Sequence, residues 1–179
     1  TDHEPCYQED GFHGVEYKYD KKGRLVENRF VGTDGKPCIG ANGFSIVRVK
    51  YDNSNNVVEF RYSDTEDKLC VTKLGYSIME RNYDSEGNCT EERLFGVDEK
   101  PCIGGDGAAT ITTKYNRLGL PIEVGYYGSD GTPCLSKWYS ARVTVKYDDR
   151  GNEVEAVHFD VDGQPCIAKD GYSKYTCFY

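Results

Sequence analysis

Thiols are the residues of this chain most able to do chemistry, and they fall on a fixed beat. Six of the eight cysteines, Cys6, Cys38, Cys70, Cys102, Cys134 and Cys166, are separated by 32 residues each time. An even number of cysteines in a short chain can build a disulfide framework or ligate a metal. The spacing opposes both. One cysteine per period supplies no Cys-x-x-Cys pair and little means of closing a tetrahedral site. If the period is one hairpin, equivalent residues lie two strand spacings apart, roughly 9–10 Å. A disulfide needs Cα atoms within about 7 Å. The expectation is a column of small packed thiols that behave as hydrophobes, with disulfides between units as the alternative. Cys177 falls on the expected core face. Cys89 falls on a charged face and is the candidate reactive thiol.

Other chemistries are weaker. His3, His13 and His158 recur with no carboxylate and nucleophile. His158 takes the place of Phe30, Tyr62, Leu94 and Tyr126 in its column, which reads as a packed ring with a polar tip. Glu27, Glu59, Glu91, Glu123 and Glu155 form a column that could resemble the paired carboxylates of glycoside hydrolysis. The lysines opposite them make a solvated ion-pair face the better reading. Asp-x-x-Gly and Asp-Gly-x-Pro segments could supply calcium ligands, but turns use the same residues for local backbone hydrogen bonds. No catalytic residue, metal site or cofactor is expected. One pair stands apart: Trp138-Tyr139 replaces the Asp-Gly found at Asp10-Gly11 and Asp170-Gly171. Phe12, Phe44, Tyr76, Trp138, Tyr139 and Tyr172 lie near strand ends, where spaced rings can grip a sugar or a peptide. Trp138 and Tyr139 break the pattern of their own unit and are the candidate ligand contacts.

The elements that position these residues follow from the period, since self-similarity has to be settled first. Tyr19, Tyr51, Tyr83, Tyr115, Tyr147 and Tyr179 each follow a column cysteine by 13 residues. Gly23, Asn55, Gly87, Gly119 and Gly151 mark one turn; Asp34-Gly35-Lys36-Pro37 and its equivalents mark a second. Before each tyrosine, apolar residues alternate with polar ones: Val47, Val49 and Tyr51 against Arg48 and Lys50. After the turn, Val58, Phe60 and Tyr62 alternate with Glu59 and Arg61. Two period-two segments around a short Gly-bearing loop predict a β-hairpin.

Keeping like faces together fixes the register. Tyr51 is placed opposite Val58, Val49 opposite Phe60 and Val47 opposite Tyr62, around a four-residue loop, Asn53 to Asn56. Lys18, Lys50, Lys114 and Lys146 then face Glu27, Glu59, Glu123 and Glu155, and Glu16 and Glu80 face Arg29 and Arg93. One pair fails, because Arg48 faces Arg61. The tyrosine column is assigned to the core face. Pro121 in the fourth unit suits an edge or a bulge. A lone hairpin is marginal in water, so units must pack on one another.

The fold class expected is all-β: tandem antiparallel β-hairpin repeats forming an elongated twisted sheet or a β-solenoid. Residues 1–179 read as a single array, with units starting at Cys6, Cys38, Cys70, Cys102 and Cys134 and a partial unit at Cys166, giving about eleven strands. Hydrophobic residues make up 37% of the chain, with 15 Tyr and 20 Gly, which suits short strands, tight turns and a thin core. The net charge of −8 argues against nucleic acid or an anionic membrane surface as the main partner. No run reaches the length of a membrane span. Asp2, Pro5 and Tyr179 place both ends inside a repeat, so flanking domains of a longer chain are expected.

Tyr17-Lys18-Tyr19-Asp20-Lys21-Lys22-Gly23 and Val145-Lys146-Tyr147-Asp148-Asp149-Arg150-Gly151 resemble the core of bacterial YD repeats, as in RHS-type proteins. The whole unit is also similar in style to MORN-type hairpin repeats. The resemblance covers about a third of the chain; the 32-residue period is longer than that of the YD family, and Asp-Gly-x-Pro-Cys is not part of its pattern. It implies spiral sheets or shells and no enzyme. The function expected is a non-enzymatic module for binding or adhesion, with a glycan or protein ligand, in a larger bacterial protein. The alternative is a structural spacer or shell segment with no ligand. Adhesion favours the cell surface or secretion; free thiols are compatible with the cytosol.

Overall fold

The computed structural model describes residues 11–177; Asp2, His3, Pro5, Cys6 and Tyr179 lie outside them. The strands are β1 (Gly14–Tyr19), β2 (Leu25–Val31), β3 (Ile46–Tyr51), β4 (Val57–Ser63), β5 (Ile78–Tyr83), β6 (Cys89–Phe95), β7 (Thr110–Tyr115), β8 (Pro121–Tyr127), β9 (Arg142–Tyr147), β10 (Glu153–Phe159) and β11 (Lys174–Thr176). They hydrogen-bond side by side in chain order, each antiparallel to the last. This is the all-β tandem-hairpin architecture expected. By internal contacts the chain divides into two compact units, Thr1–Glu80 with Phe95–Lys100, and Arg81–Leu94 with Pro101–Tyr179. Among the described residues no helix is long and apolar enough to cross a membrane.

One turn design is used three times per repeat. At Asp52 the amide donates to the Asn56 carbonyl, and the Asn55 amide donates back to the Asp52 carbonyl. The same two bonds recur at Asp64 with Lys68 and Asp67, and at Thr72 with Tyr76 and Gly75. The fourth residue of each turn has positive φ, which L side chains resist. Glycine meets that need at most positions; Asn55, Asp67, Glu99 and Tyr139 do not have its freedom. In the hairpin turn the aspartate adds a local bond: Asp52 Oδ1 accepts from the amides of Ser54 and Asn56, both at 2.8 Å. Those bonds give the Asp-x-x-Gly segments their purpose without a cation.

The predicted register holds through most of the hairpins β1–β2, β3–β4, β7–β8 and β9–β10. Lys50 pairs with Glu59, Val49 with Phe60 and Val47 with Tyr62. It changes beside the turn, where Tyr51 pairs with Val57 rather than Val58. The cause is the Asp52–Asn56 bond, which closes a three-residue loop and leaves Val58 as the extra residue of a bulge. Pro121 is the first residue of its strand and lies beside the same bulge, where its missing N–H breaks no ladder bond.

The lysine–glutamate ladder forms: Lys18–Glu27 at 2.7 Å, and Lys50–Glu59, Lys114–Glu123 and Lys146–Glu155 at 2.8 Å. The glutamates also reach the following hairpin, Glu27 to Arg48 Nε at 2.7 Å and Glu155 to Lys174 at 2.6 Å. Glu16 is opposite Arg29, but Arg29 turns its guanidinium to Glu27 instead. Arg48 does face Arg61, and the charge conflict is resolved from elsewhere. Arg48 binds Glu27 and Asp67, whereas Arg61 binds Glu59 and, through both terminal nitrogens, Glu99 at 3.1 and 3.3 Å. Among the described residues, Asp67 and Glu99 are the two charged ones held at positive φ, so a bidentate arginine contact compensates each strained turn.

The core is not the tyrosine column. In the first unit its buried apolar residues are Phe44, Ile46, Tyr76 and Ile78. Phe44 and Tyr76 belong with half-buried Phe12, Phe30 and Tyr62 to a stack of rings, Phe12, Phe30, Phe44, Tyr62 and Tyr76, with successive centroids 4.4, 5.4, 4.8 and 5.9 Å apart. It draws alternately on the residue after the third turn and on the second strand of the hairpin. In the second unit the same places include buried Leu94, Ala108 and Ser140, and His158, whose Nδ1 is 3.4 Å from the Ser140 hydroxyl. His158 is the packed ring with a polar tip that its column predicts. Tyr51, Tyr115 and Tyr147 are half-buried and lie across the preceding hairpin, while Tyr19 is 61% exposed. Alternation places the tyrosines on the core face, but it reveals a face and not how much of that face is covered.

Candidate functional site

The third turn after the fourth hairpin, Ser136 to Tyr139, carries the candidate contacts. It is closed like its equivalents, by Ser136 N–H to the Ser140 carbonyl and Tyr139 N–H to the Ser136 carbonyl, both 2.9 Å. The Ser136 hydroxyl accepts from the Trp138 amide at 3.2 Å. Backbone rungs hold successive third turns to one another: Lys73 N–H to the Asn42 carbonyl in the first unit, and Lys137 N–H to Asp106 and Lys169 N–H to Trp138 in the second. Trp138 and Tyr139 thus sit on a braced turn between two others.

Tyr139 has φ of 65°, where Gly11, Gly43, Gly75, Gly107 and Gly171 have φ of 81–90°. A side chain there costs roughly 1–2 kcal/mol. Both rings of the pair point outward, Trp138 at 43% exposure and Tyr139 at 57%. Two ammonium groups lie over the indole, Lys137 Nζ at 5.2 Å and Lys169 Nζ at 5.7 Å from the ring centroid. Lys137 is also paired with Asp106 at 2.6 Å. The site therefore combines an indole, a phenol and two cations on one rigid turn, which can stack on a planar or ring-shaped group and pair with an anion or hydroxyl beside it.

Two of the rings grouped with this pair by sequence separate from it. Phe44 and Tyr76 are core residues, buried in the aromatic stack. They follow the left-handed turn residue, whereas Trp138 and Tyr139 occupy the turn itself. Reading the columns strictly shows the difference: Ala108 and Ser140 are the true equivalents of Phe44 and Tyr76.

The described column cysteines, Cys38, Cys70, Cys102, Cys134 and Cys166, are free half-buried thiols. Cys70, Cys134 and Cys166 place Sγ 3.5–3.6 Å from the carbonyls of Gly43, Gly107 and Tyr139 in the preceding repeat. Burial pushes the thiols of Cys38, Cys70, Cys134 and Cys166 up, and Asp34, Asp64, Asp130 and Asp160 push the same way. Cys89, the candidate reactive thiol, is half-buried and donates to the Glu91 carbonyl at 3.5 Å. Burial raises its pKa and Glu92 adds to that, so it lacks the depressed pKa of an activated thiol. Among the described residues, no group of three or more His, Cys, Asp or Glu side chains could hold a metal ion.

No protein-family model matches the chain, and no curated protein matches it. Solved structures similar to it include TcdB2–TccC3, with a TM-score of 0.42 at 14% identity, over 90% of this chain and 9% of that one. The TcdB2–TccC3–Cdc42 structure has a TM-score of 0.40 at 14% identity, over 90% of this chain and 8% of that one. The Photorhabdus luminescens Tc holotoxin pore has a TM-score of 0.41 at 14% identity, with the same coverages, 90% and 8%. The chain spans less than a tenth of the length of these structures, and likeness at this level bears on neither function nor partner.

Proposed function

We propose that this chain is a non-catalytic binding module, a single repeat array within a longer bacterial protein, that presents Trp138 and Tyr139 to a glycan or a protein ligand at or outside the cell surface. One observation carries the reading: Tyr139 is held in a glycine conformation, and the result is two exposed rings on a braced turn. Strain retained where no packing requires it points to a role outside the fold. The neighbouring ammonium groups favour ligands with acidic or hydroxyl groups beside an apolar face. Glycan and peptide arrays probed with the folded chain test this. Saturable binding that falls about tenfold or more in Trp138→Ala, the weight of a buried aromatic anchor, supports it. A folded chain that binds nothing in either array overturns it.

The regular backbone rungs between turns favour a second reading, a structural spacer or shell segment with no ligand of its own. It predicts empty arrays and function residing in flanking domains.

A further inference from the structure

A second site lies at the hairpin turns of the second unit and is independent of Trp138. In the first unit, Arg24 leaves its own hairpin turn and fills the groove to the next one. Its Nε donates to Asp20 Oδ2 at 2.7 Å, one terminal nitrogen donates to Asn55 Oδ1 at 2.9 Å, and its guanidinium carbon lies 4.5 Å from the centroid of the Tyr51 ring. Tyr51 is fixed beneath it by its hydroxyl, which donates to the Leu25 carbonyl at 2.9 Å.

The same construction recurs two grooves further on, without the arginine. Tyr115 is fixed in the same way, its hydroxyl donating to the Cys89 carbonyl at 2.8 Å. Asn88 stands at the Arg24 position, and its Nδ2 donates to Asp84 Oδ2 at 2.9 Å. There the short side chain ends. Gly119 stands at the Asn55 position and adds nothing to fill the space. A groove of about 620 Å³ remains, lined by Asp84, Glu86, Asn88, Tyr115, Arg117 and Gly119. In the next repeat the equivalent space is taken by Leu120, whose Cδ1 lies 3.6 Å from where a Cβ on Gly151 would be. Among the described residues no cation stands over the Tyr115 ring and no cation pairs with Glu86, whose carboxylate accepts only the Ser85 hydroxyl, at 2.7 Å.

We propose that the groove between the 84–88 and 116–120 turns receives the arginine side chain of a partner protein, stacked on Tyr115 as Arg24 is stacked on Tyr51 in the first groove. The guanidinium would stack on Tyr115 and pair with Glu86, a contact that a net charge of −8 on this chain favours over long range. Arg117, on the opposite lip, opposes a cation and sets the affinity lower than Tyr115 and Glu86 alone would give.

The test titrates the whole chain with acetyl-Gly-Arg-Gly-amide and with its citrulline counterpart, which has the same shape and no charge, following the Tyr115 ring resonances by NMR. The arginine peptide is expected to give saturable shifts and the citrulline peptide none. Asn88→Arg, which supplies the chain's own arginine, should weaken peptide binding about tenfold or more, and Arg117→Ala should tighten it. Thermal unfolding verifies that each variant is folded. Equal binding of the two peptides, absence of binding to the wild-type chain, or full affinity in a folded Asn88→Arg variant overturns the proposal. Should Asn88→Arg not fold, Glu86→Gln decides: lost affinity supports the site and unchanged affinity refutes it.

Discussion

Tyr139 adopts, with φ of 65°, the left-handed conformation that Gly107 adopts one repeat earlier with φ of 84°. The two residues are equivalent in the repeat and opposite in cost. Tyr139→Gly removes roughly 1–2 kcal/mol of conformational strain, offset by about 0.5–1 kcal/mol of extra freedom in the unfolded chain. The variant should therefore be more stable by up to about 1 kcal/mol in urea unfolding, while binding less well on the arrays that test Trp138. A variant that loses both stability and binding would remove the argument for strain.

Gly107→Ala tests the rung beneath that turn. A Cβ at Gly107 would stand 3.0 Å from the Lys137 backbone nitrogen, which donates to the Asp106 carbonyl. A Cβ at Gly131, which also has positive φ, would meet nothing within 4 Å. Gly131→Ala should cost only the conformational penalty, about 1 kcal/mol, and Gly107→Ala clearly more, about 2 kcal/mol or above. Equal urea midpoints for the two variants would mean that the rung yields freely.

Acid should destabilise the array. Burial alone would raise Glu27, but hydrogen bonds from Lys18 and Arg48 outweigh it and hold its pKa below the ordinary value. Lys114 lowers Glu123 in the same way, and turn hydrogen bonds from Asn152 lower Asp148. A carboxylate with a depressed folded pKa contributes stability above its unfolded pKa and loses it as pH falls through the folded value. Urea midpoints should be flat near neutrality and fall below the ordinary carboxylate range. Asn116 shows that an amide can make the same turn bonds, to the Leu118 amide at 2.9 Å and the Leu120 amide at 3.1 Å. Asp148→Asn should keep stability near neutrality and soften its decline in acid. A decline as steep as that of the wild type would assign acid sensitivity to the glutamates alone.

The column thiols should be slow to react. With their pKa values raised, little thiolate exists at neutral pH. Cys38, Cys70, Cys134 and Cys166 should be modified by iodoacetamide far more slowly in the folded chain than in urea, as mass spectrometry of the digested protein would report. Rapid modification of the folded chain at these positions would contradict the burial argument.

The ladder of Lys18, Lys50, Lys114 and Lys146 with the glutamates was legible because directly opposed residues in a hairpin are fixed by register alone. The relief of Arg48 against Arg61 was not, because Asp67 and Glu99 reach them from turns whose fold-back the strand pattern does not encode. The extent of the core is hidden from the sequence for a related reason. Alternation places Val47, Val49 and Tyr51 on one face, but the covering residues come from the third turn, where Phe44 and Tyr76 follow a left-handed residue. Trp138 and Tyr139 were legible as a break in pattern. Their exposure needed the turn geometry, and the empty place beside Asn88 needed the comparison with Arg24 in three dimensions.

Contacts between repeats span set distances along the chain: 26 residues from Tyr51 to Leu25, 27 from Cys70 to Gly43, and 31 from Lys73 to Asn42. Excising one full period from the interior would therefore hand each of these severed donors an equivalent acceptor, and duplicating one would do the reverse. At the level of the gene, unequal crossing-over between like segments can lengthen or shorten such a protein in whole steps without inventing a new fold. Binding residues confined to one step, such as Trp138 and Tyr139, would then be gained, lost or multiplied as a package.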